Sequence, residues 1–257
     1  MKIRGVELAC DVGGSGRDLV WGHGLSSSRA NEDESPLVDW NRVPARITRY
    51  DARGHGESES SSEVEDYSWA SLALDQLDLA AGLGIDRYIA GGASMGCATA
   101  LHAAVTAPER IERLILVIPP TAWETRAVQI DQYGATAHVL TTKGVEPIIE
   151  AGAQLAPPDP FVGDDERRRR REASLRAADP ARLAQVFRGA TVADLPSRDA
   201  IAVISMPALI LAWTGDPGHP VSTAEELDRL IPQSTLHLAS TIDELNTWTD
   251  QVIDFIA

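Results

Sequence analysis

Apolar residues come in short runs along this chain, separated by glycine, proline and acidic turns. "KIRGVELAC" and "DLVWG" alternate apolar and polar positions on either side of the glycine turn "DVGGSG", which predicts short strands joined tightly. A helix is expected near "SPLVDW", and "ARITRYD" reads as a strand running into a charged loop. Strand and helix patterns then take turns: a helix over "SWASLALDQLDLAAGLG", a strand "RYIAGG", a helix "MGCATALHAAVTA" and a strand "RLILVIPP". Such alternation predicts a parallel sheet covered by helices on both faces. The pattern lapses from Thr121 to Ser205, where helical periodicity, the prolines of "APPDP" and an arginine run mix without strand signals. It resumes with "PALILAW", "VSTAEELDRLIP", "STLHLA" and "IDELNTWTDQVIDFI" as strand, helix, strand, helix. An interruption that rejoins the same sheet is an insertion, so residues 1–120 and 206–257 are expected to form one core and 121–205 a segment inserted into it.

Composition narrows the classes. A chain of 257 residues, 44% apolar and 24% charged, can bury one large core and resembles neither a disordered nor a fibrous protein. Its apolar runs are strand length, no start resembles a secretory peptide, and Cys10 and Cys97 fit neither a disulfide framework nor a zinc site, so a cytoplasmic location is expected. The formal net charge of −15 disfavours phosphate backbones and anionic membranes. Arg167 to Arg171 could form an anion patch. The acids of "GDDERRRRREASLRAADP" favour instead a solvated helix with intrahelical ion pairs.

The chemistry starts at "GGASMG". Gly92-Ala93-Ser94-Met95-Gly96 has the form G-x-S-x-G between a predicted strand and a predicted helix, where the serine sits on a strained turn at the carboxyl edge of the sheet. A serine hydroxyl becomes a useful nucleophile only when a base takes its proton and N–H donors await the oxyanion. The helix start after Ser94 also favours negative charge. A packing turn is the plainer alternative; the strand before and the helix after favour the nucleophile.

With three further stretches the chain resembles the α/β-hydrolase family. "VWGHGLSSS" is similar to that family's His-Gly turn after the third strand, "YDARGHGES" to its loop after the fourth, and "TGDPGHP" to the loop after the seventh that supplies a catalytic acid. The resemblance implies a mostly parallel eight-stranded sheet with helices on both faces and a helical cap formed by residues 121–205. It implies an oxyanion hole from the Leu25 and Met95 N–H groups and assigns the triad acid to Asp216. Neither a cofactor nor a metal is implied, and the glycines lack the G-x-G-x-x-G spacing and the lysine of a phosphate loop.

One departure stands out. The family carries its base histidine in the loop after the last strand, here "ASTIDE", which has none. Among the six histidines, His23 and His55 belong to structural turns, His102 lies on the helix after the elbow, His138 in the inserted segment, and His237 within the last strand. His219 remains, three residues after Asp216 and before Pro220, preserving the chain order serine, acid, histidine. The alternative is that His219 caps the following helix or faces water. Ser94 is thus expected as nucleophile, His219 as general base and Asp216 as its orienting acid, with Glu124 in reserve.

Trp21, Trp123 and Trp213 fall at or just past the carboxyl ends of predicted strands, where open α/β sheets hold ligands. They are read either as a flat apolar pocket for a small cyclic or aromatic acyl group or as packing between cap and sheet. Two functions follow: a serine hydrolase of a small ester or lactone, or a non-hydrolytic binder or cyclisation catalyst on the same scaffold. The partner expected is a small-molecule substrate, with neither nucleic acid nor membrane. The oligomeric state, a homodimer included, stays open.

Overall fold

The computed structural model describes residues 1–257. Its main sheet has seven strands, β3 (Cys10–Gly14), β4 (Arg17–Gly22), β5 (Ala45–Tyr50), β6 (Tyr88–Ala93), β7 (Ile111–Val117), β8 (Ala208–Trp213) and β9 (Ser234–Ala239), in the order β3-β5-β4-β6-β7-β8-β9. All neighbours are parallel except β3 and β5. The expected eight strands become seven because "KIRGVELAC" does not join the sheet as one strand. Arg4 and Gly5 both adopt positive φ, and the segment folds back as a two-stranded hairpin, β1 (Lys2–Ile3) with β2 (Val6–Glu7). The glycine-rich "DVGG", expected as a turn, is instead the antiparallel edge strand β3.

Strand β8 and the Leu114–Val117 part of β7 are apolar at every position because both faces of the sheet are covered there. Leu114, Leu116, Ala208, Ile210 and Ala212 enter one core with α2 (Trp69–Gly82), α3 (Met95–Thr106) and α9 (Val221–Leu230). Ile115, Val117, Leu209, Leu211 and Trp213 enter a second core on the other face. That core includes Trp248, Val252 and Ile256 of α11 (Trp248–Ile256). The helix expected near "SPLVDW" forms earlier, as α1 (Arg29–Glu34), capped by Ser28, whose side chain accepts the Asn31 N–H.

Between β7 and β8 the chain adds no strand. It forms α4 (Arg126–Lys143), α5 (Glu146–Gly152), α6 (Asp165–Ala177), α7 (Pro180–Thr191) and α8 (Arg198–Ala202). The arginine run lies on α6, where Arg168 pairs with Asp165 and Glu172, and Arg170 with Glu166, the pairs expected one helical turn apart. No helix is long and apolar enough to cross a membrane.

The sheet order reverses at β4: the chain steps from β4 out to β5, then crosses back to β6 on the other side of β4. Loops leaving β4 and β6 therefore diverge to opposite faces and leave a crevice at their carboxyl ends, where open α/β sheets bind ligands.

Candidate active site

The elbow at that crevice is built by close backbone approach. A Cβ on Gly92 would lie 2.6 Å from the Gly22 carbonyl oxygen, and one on Gly96 would collide with the same group. Strand β6 and helix α3 thus meet β4 with no room for a side chain, which accounts for both glycines of G-x-S-x-G. Between them Ser94 is held at φ 53° and ψ −106°, a strained conformation for a residue with a Cβ. Its N–H donates to Val117 O at 2.9 Å, and its carbonyl accepts the Ala98 N–H at 3.0 Å. The residue is only 9% exposed.

The turn after β8 brings two further side chains to it. Ser94 Oγ lies 2.8 Å from His219 Nε2, and His219 Nδ1 lies 2.7 Å from Asp216 Oδ2. With a carboxylate at Nδ1, the ring carries its proton there and presents Nε2 as acceptor to the serine hydroxyl. The His219 N–H closes the turn onto Asp216 O at 3.1 Å. Asp216 gains two more donors, the Gly218 N–H at Oδ1 and the Trp213 Nε1–H at Oδ2, both at 2.9 Å. Burial alone would raise its carboxyl. The bonds and charge from His219, with the two N–H groups, outweigh that and hold it down to about 2.

The turn after β4 comes alongside. A Cβ on Gly24 would sit 3.7 Å from Ser94 Cβ, which puts the Gly24–Leu25 peptide next to the serine, while Met95 opens α3 on its other side. His23 fixes this turn: its Nδ1–H donates to Gly24 O at 2.8 Å and its Nε2 accepts the Ala52 N–H at 2.9 Å. Complete burial lowers its pKa, keeping the ring neutral so that one nitrogen can accept. His55 packs edge-on against it, 4.9 Å between centroids, and burial takes its pKa down to about 3. The other histidines lie apart: His102 Nε2 bonds Asp194 O at 2.8 Å, His138 is exposed, and His237 lies within β9.

Other candidates fall elsewhere. Glu124 is turned outward, its carboxylate forked onto Arg198 at 2.7 and 2.9 Å, and so takes no part in the relay. Of the two readings of the three indoles, a shared pocket or packing, their placement on different sheet faces favours packing. Trp21 and Trp213 belong to one core and Trp123 packs against the other. Each indole N–H is also committed: Trp21 to Glu32, Trp123 to Pro196 O, Trp213 to Asp216. Half-buried beside Trp21, whose N–H it accepts, the Glu32 carboxyl is pushed up to about 7, mainly by desolvation.

Trp213, read from the sequence as a pocket or packing indole, also donates to Asp216, a bond the pattern did not announce. It stands three residues before Asp216 as His219 stands three after, a symmetry visible in "WTGDPGH". Its ring stacks on Trp248 and meets Phe161 edge-on at 5.2 Å. Asp159 ties the same region to the inserted segment: its N–H donates to Thr214 O at 3.0 Å and its carboxylate accepts the Thr214 hydroxyl at 2.6 Å. No group of three or more His, Cys, Asp or Glu side chains is arranged to hold a metal ion.

Known proteins share this fold. Residues 23–137 match the family described as alpha/beta hydrolase fold. The enol-lactonase of Burkholderia xenovorans superposes with a TM-score of 0.83 at 24% identity, over 99% of this chain and 98% of that one. In sequence, a stretch of 116 residues is 34% identical to N-formylmaleamate deformylase of Pseudomonas putida, covering 43% of this chain and only 40% of that protein. A longer stretch of 197 residues is 26% identical to 3-oxoadipate enol-lactonase 1 of Acinetobacter baylyi, covering 76% of this chain and 71% of that protein. The chain adopts the alpha/beta hydrolase fold, and residues 23–137 match the model of that family.

Proposed function

We propose that the protein is a hydrolase that cleaves small esters or lactones through an acyl-serine intermediate, with residues 121–205 as the cap over the site. The observation that carries this reading is the relay from Ser94 through His219 to Asp216, 2.8 and 2.7 Å long, at a strained elbow. Relatives named as enol-lactonases and a deformylase support the same class.

In the first half-reaction Ser94 Oγ bonds to the substrate carbonyl carbon while its proton passes to His219 Nε2. The Leu25 and Met95 N–H groups face the oxygen that gains the negative charge. When the tetrahedral species collapses, the bond to the alkoxy oxygen breaks and that oxygen takes the proton from Nε2; in a lactone it stays tethered to the acyl group. Water then gives a proton to Nε2 and its oxygen bonds to the acyl carbon. Ser94 leaves as the hydroxyl with that proton, and a carboxylic acid is released. Asp216 stays ionised throughout and stabilises the imidazolium.

A short-chain p-nitrophenyl ester should give a burst of p-nitrophenol, and a fluorophosphonate should add to Ser94. Neither burst nor adduct would transfer the case to a non-hydrolytic binder or cyclisation catalyst.

A further inference from the structure

Two arginines of this chain are almost wholly enclosed, and their surroundings differ. Arg53, 1% exposed, is answered by Asp75 at 2.8 and 3.0 Å and by Asp66 at 3.3 Å. Arg126, also 1% exposed, begins α4 and donates only to neutral oxygens: Nε to Ala193 O at 2.8 Å, Nη2 to Ala190 O at 2.6 Å and Nη1 to Thr121 Oγ1 at 3.3 Å. No carboxylate bonds it, Asp194 acting on it only through space, and an arginine does not escape a costly burial by losing its proton. Acids are not scarce, at 38 against 23 bases.

A second donor at the same spot lacks an acceptor. The guanidinium lies 4.2 Å over the Trp69 ring, and the Trp69 Nε1–H, on a residue 2% exposed, has no hydrogen-bond partner. The Tyr133 ring is 5.2 Å from the same guanidinium. Burial raises the pKa of its hydroxyl, which therefore keeps its proton. The cluster is rich in donors and short of one negatively charged acceptor.

It is also next to the relay. Thr121, which accepts from Arg126, donates its N–H to Gly218 O at 3.1 Å, and the Gly218 N–H in turn bonds Asp216. Arg126 is therefore two hydrogen bonds from the turn that carries acid and base. Its neighbours are Trp69 of α2 and Ala190 at the end of α7.

We propose that Arg126, with the Trp69 N–H and the Tyr133 hydroxyl, forms a subsite for a free carboxylate, so that the ester or lactone turned over carries an acid group away from its scissile bond. The reaction part rests on the hydrolase reading above; the binding of a carboxylate does not.

Monoethyl glutarate and diethyl glutarate, followed by pH-stat, test it. The wild type should favour the monoester by about 10- to 100-fold in kcat/KM, mostly through KM, the range of a charged hydrogen bond. Arg126→Gln should bring the ratio close to one, Arg126→Lys should keep part of it, and Trp69→Phe should lower it several-fold. A wild-type ratio at or below one overturns the subsite. So does an equal loss on both esters in Arg126→Gln, the result of a residue that only clamps the end of α7. If Arg126→Gln does not fold, Trp69→Phe, which keeps the ring, gives the same decision. If neither ester turns over and Ser94 takes no fluorophosphonate, the hydrolase reading falls and calorimetry with glutarate decides the subsite alone. Saturable binding weakened by Trp69→Phe supports it, and absence of binding ends it.

Discussion

The turns after β8 and β9 end neighbouring parallel strands and do opposite work. The first runs from Thr214 to Pro220, seven residues, and gathers donors around Asp216 so that His219 meets Ser94. The second has only Ser240 and Thr241 before α10 (Ile242–Asn246) begins. Its carboxylate, Glu244, accepts the Ser240 N–H and hydroxyl and the Thr241 N–H, while Thr241 caps the helix in return. Both turns bind N–H groups to a carboxylate. In one the carboxylate orients a base, and in the other it starts a helix. Two residues span at most about 7 Å, so the second turn is spent on that start. The turn where the family resemblance leads one to expect a histidine starts a helix here, and the neighbouring longer turn holds the proposed acid and base together.

The comparison breaks most sharply at His219. His219→Ala should lower ester turnover by on the order of 10⁴ to 10⁶ in kcat with the far-ultraviolet circular dichroism unchanged. Adding Ser240→His should recover less than about tenfold of that, because the capping box holds the turn in place; a full recovery would show that the second turn still reaches the serine. Asp216→Asn should cost about 10⁴ in kcat by spoiling the imidazole tautomer.

The same residue sharpens the contrast through pH. With its carboxyl held down to about 2 from an ordinary 3.8, Asp216 stabilises the fold above pH 4. That contribution, about 2 kcal/mol at most, is lost as pH falls from about 4 towards 2. Urea titrations of wild type and Asp216→Asn should therefore converge over that interval and diverge above it. Trp213→Phe, which keeps the stacking but drops one bond to the acid, should reduce kcat by about tenfold. Thr241→Ala should cost about 1 kcal/mol of stability in the same titration and leave turnover where it was.

The grouping of Ser94, Asp216 and His219 was legible because each rests on a local demand. Glycines are needed where Gly22 meets Gly92 and Gly96, and an acid three residues from a histidine spans a single turn. The alternation of elements was legible for the same reason, since both faces of β7 and β8 are buried. The choice between a pocket of indoles and packing was not, because position along a strand does not say which face a side chain takes or what its N–H will bond. The eighth strand failed at Arg4 and Gly5, where positive φ folds the chain back. Arg126 carried no signal, because its oddity is the absence of a partner, and that exists only once the chain is folded.

Placing acid and base on one short hinge leaves the relay a single loose dimension. If the segment from Asp216 to His219 shifts as a body, the carboxylate and imidazole travel together and keep their spacing; only the gap to the serine widens or closes. The Asp159 contact to Thr214 ties the start of that hinge to the inserted segment.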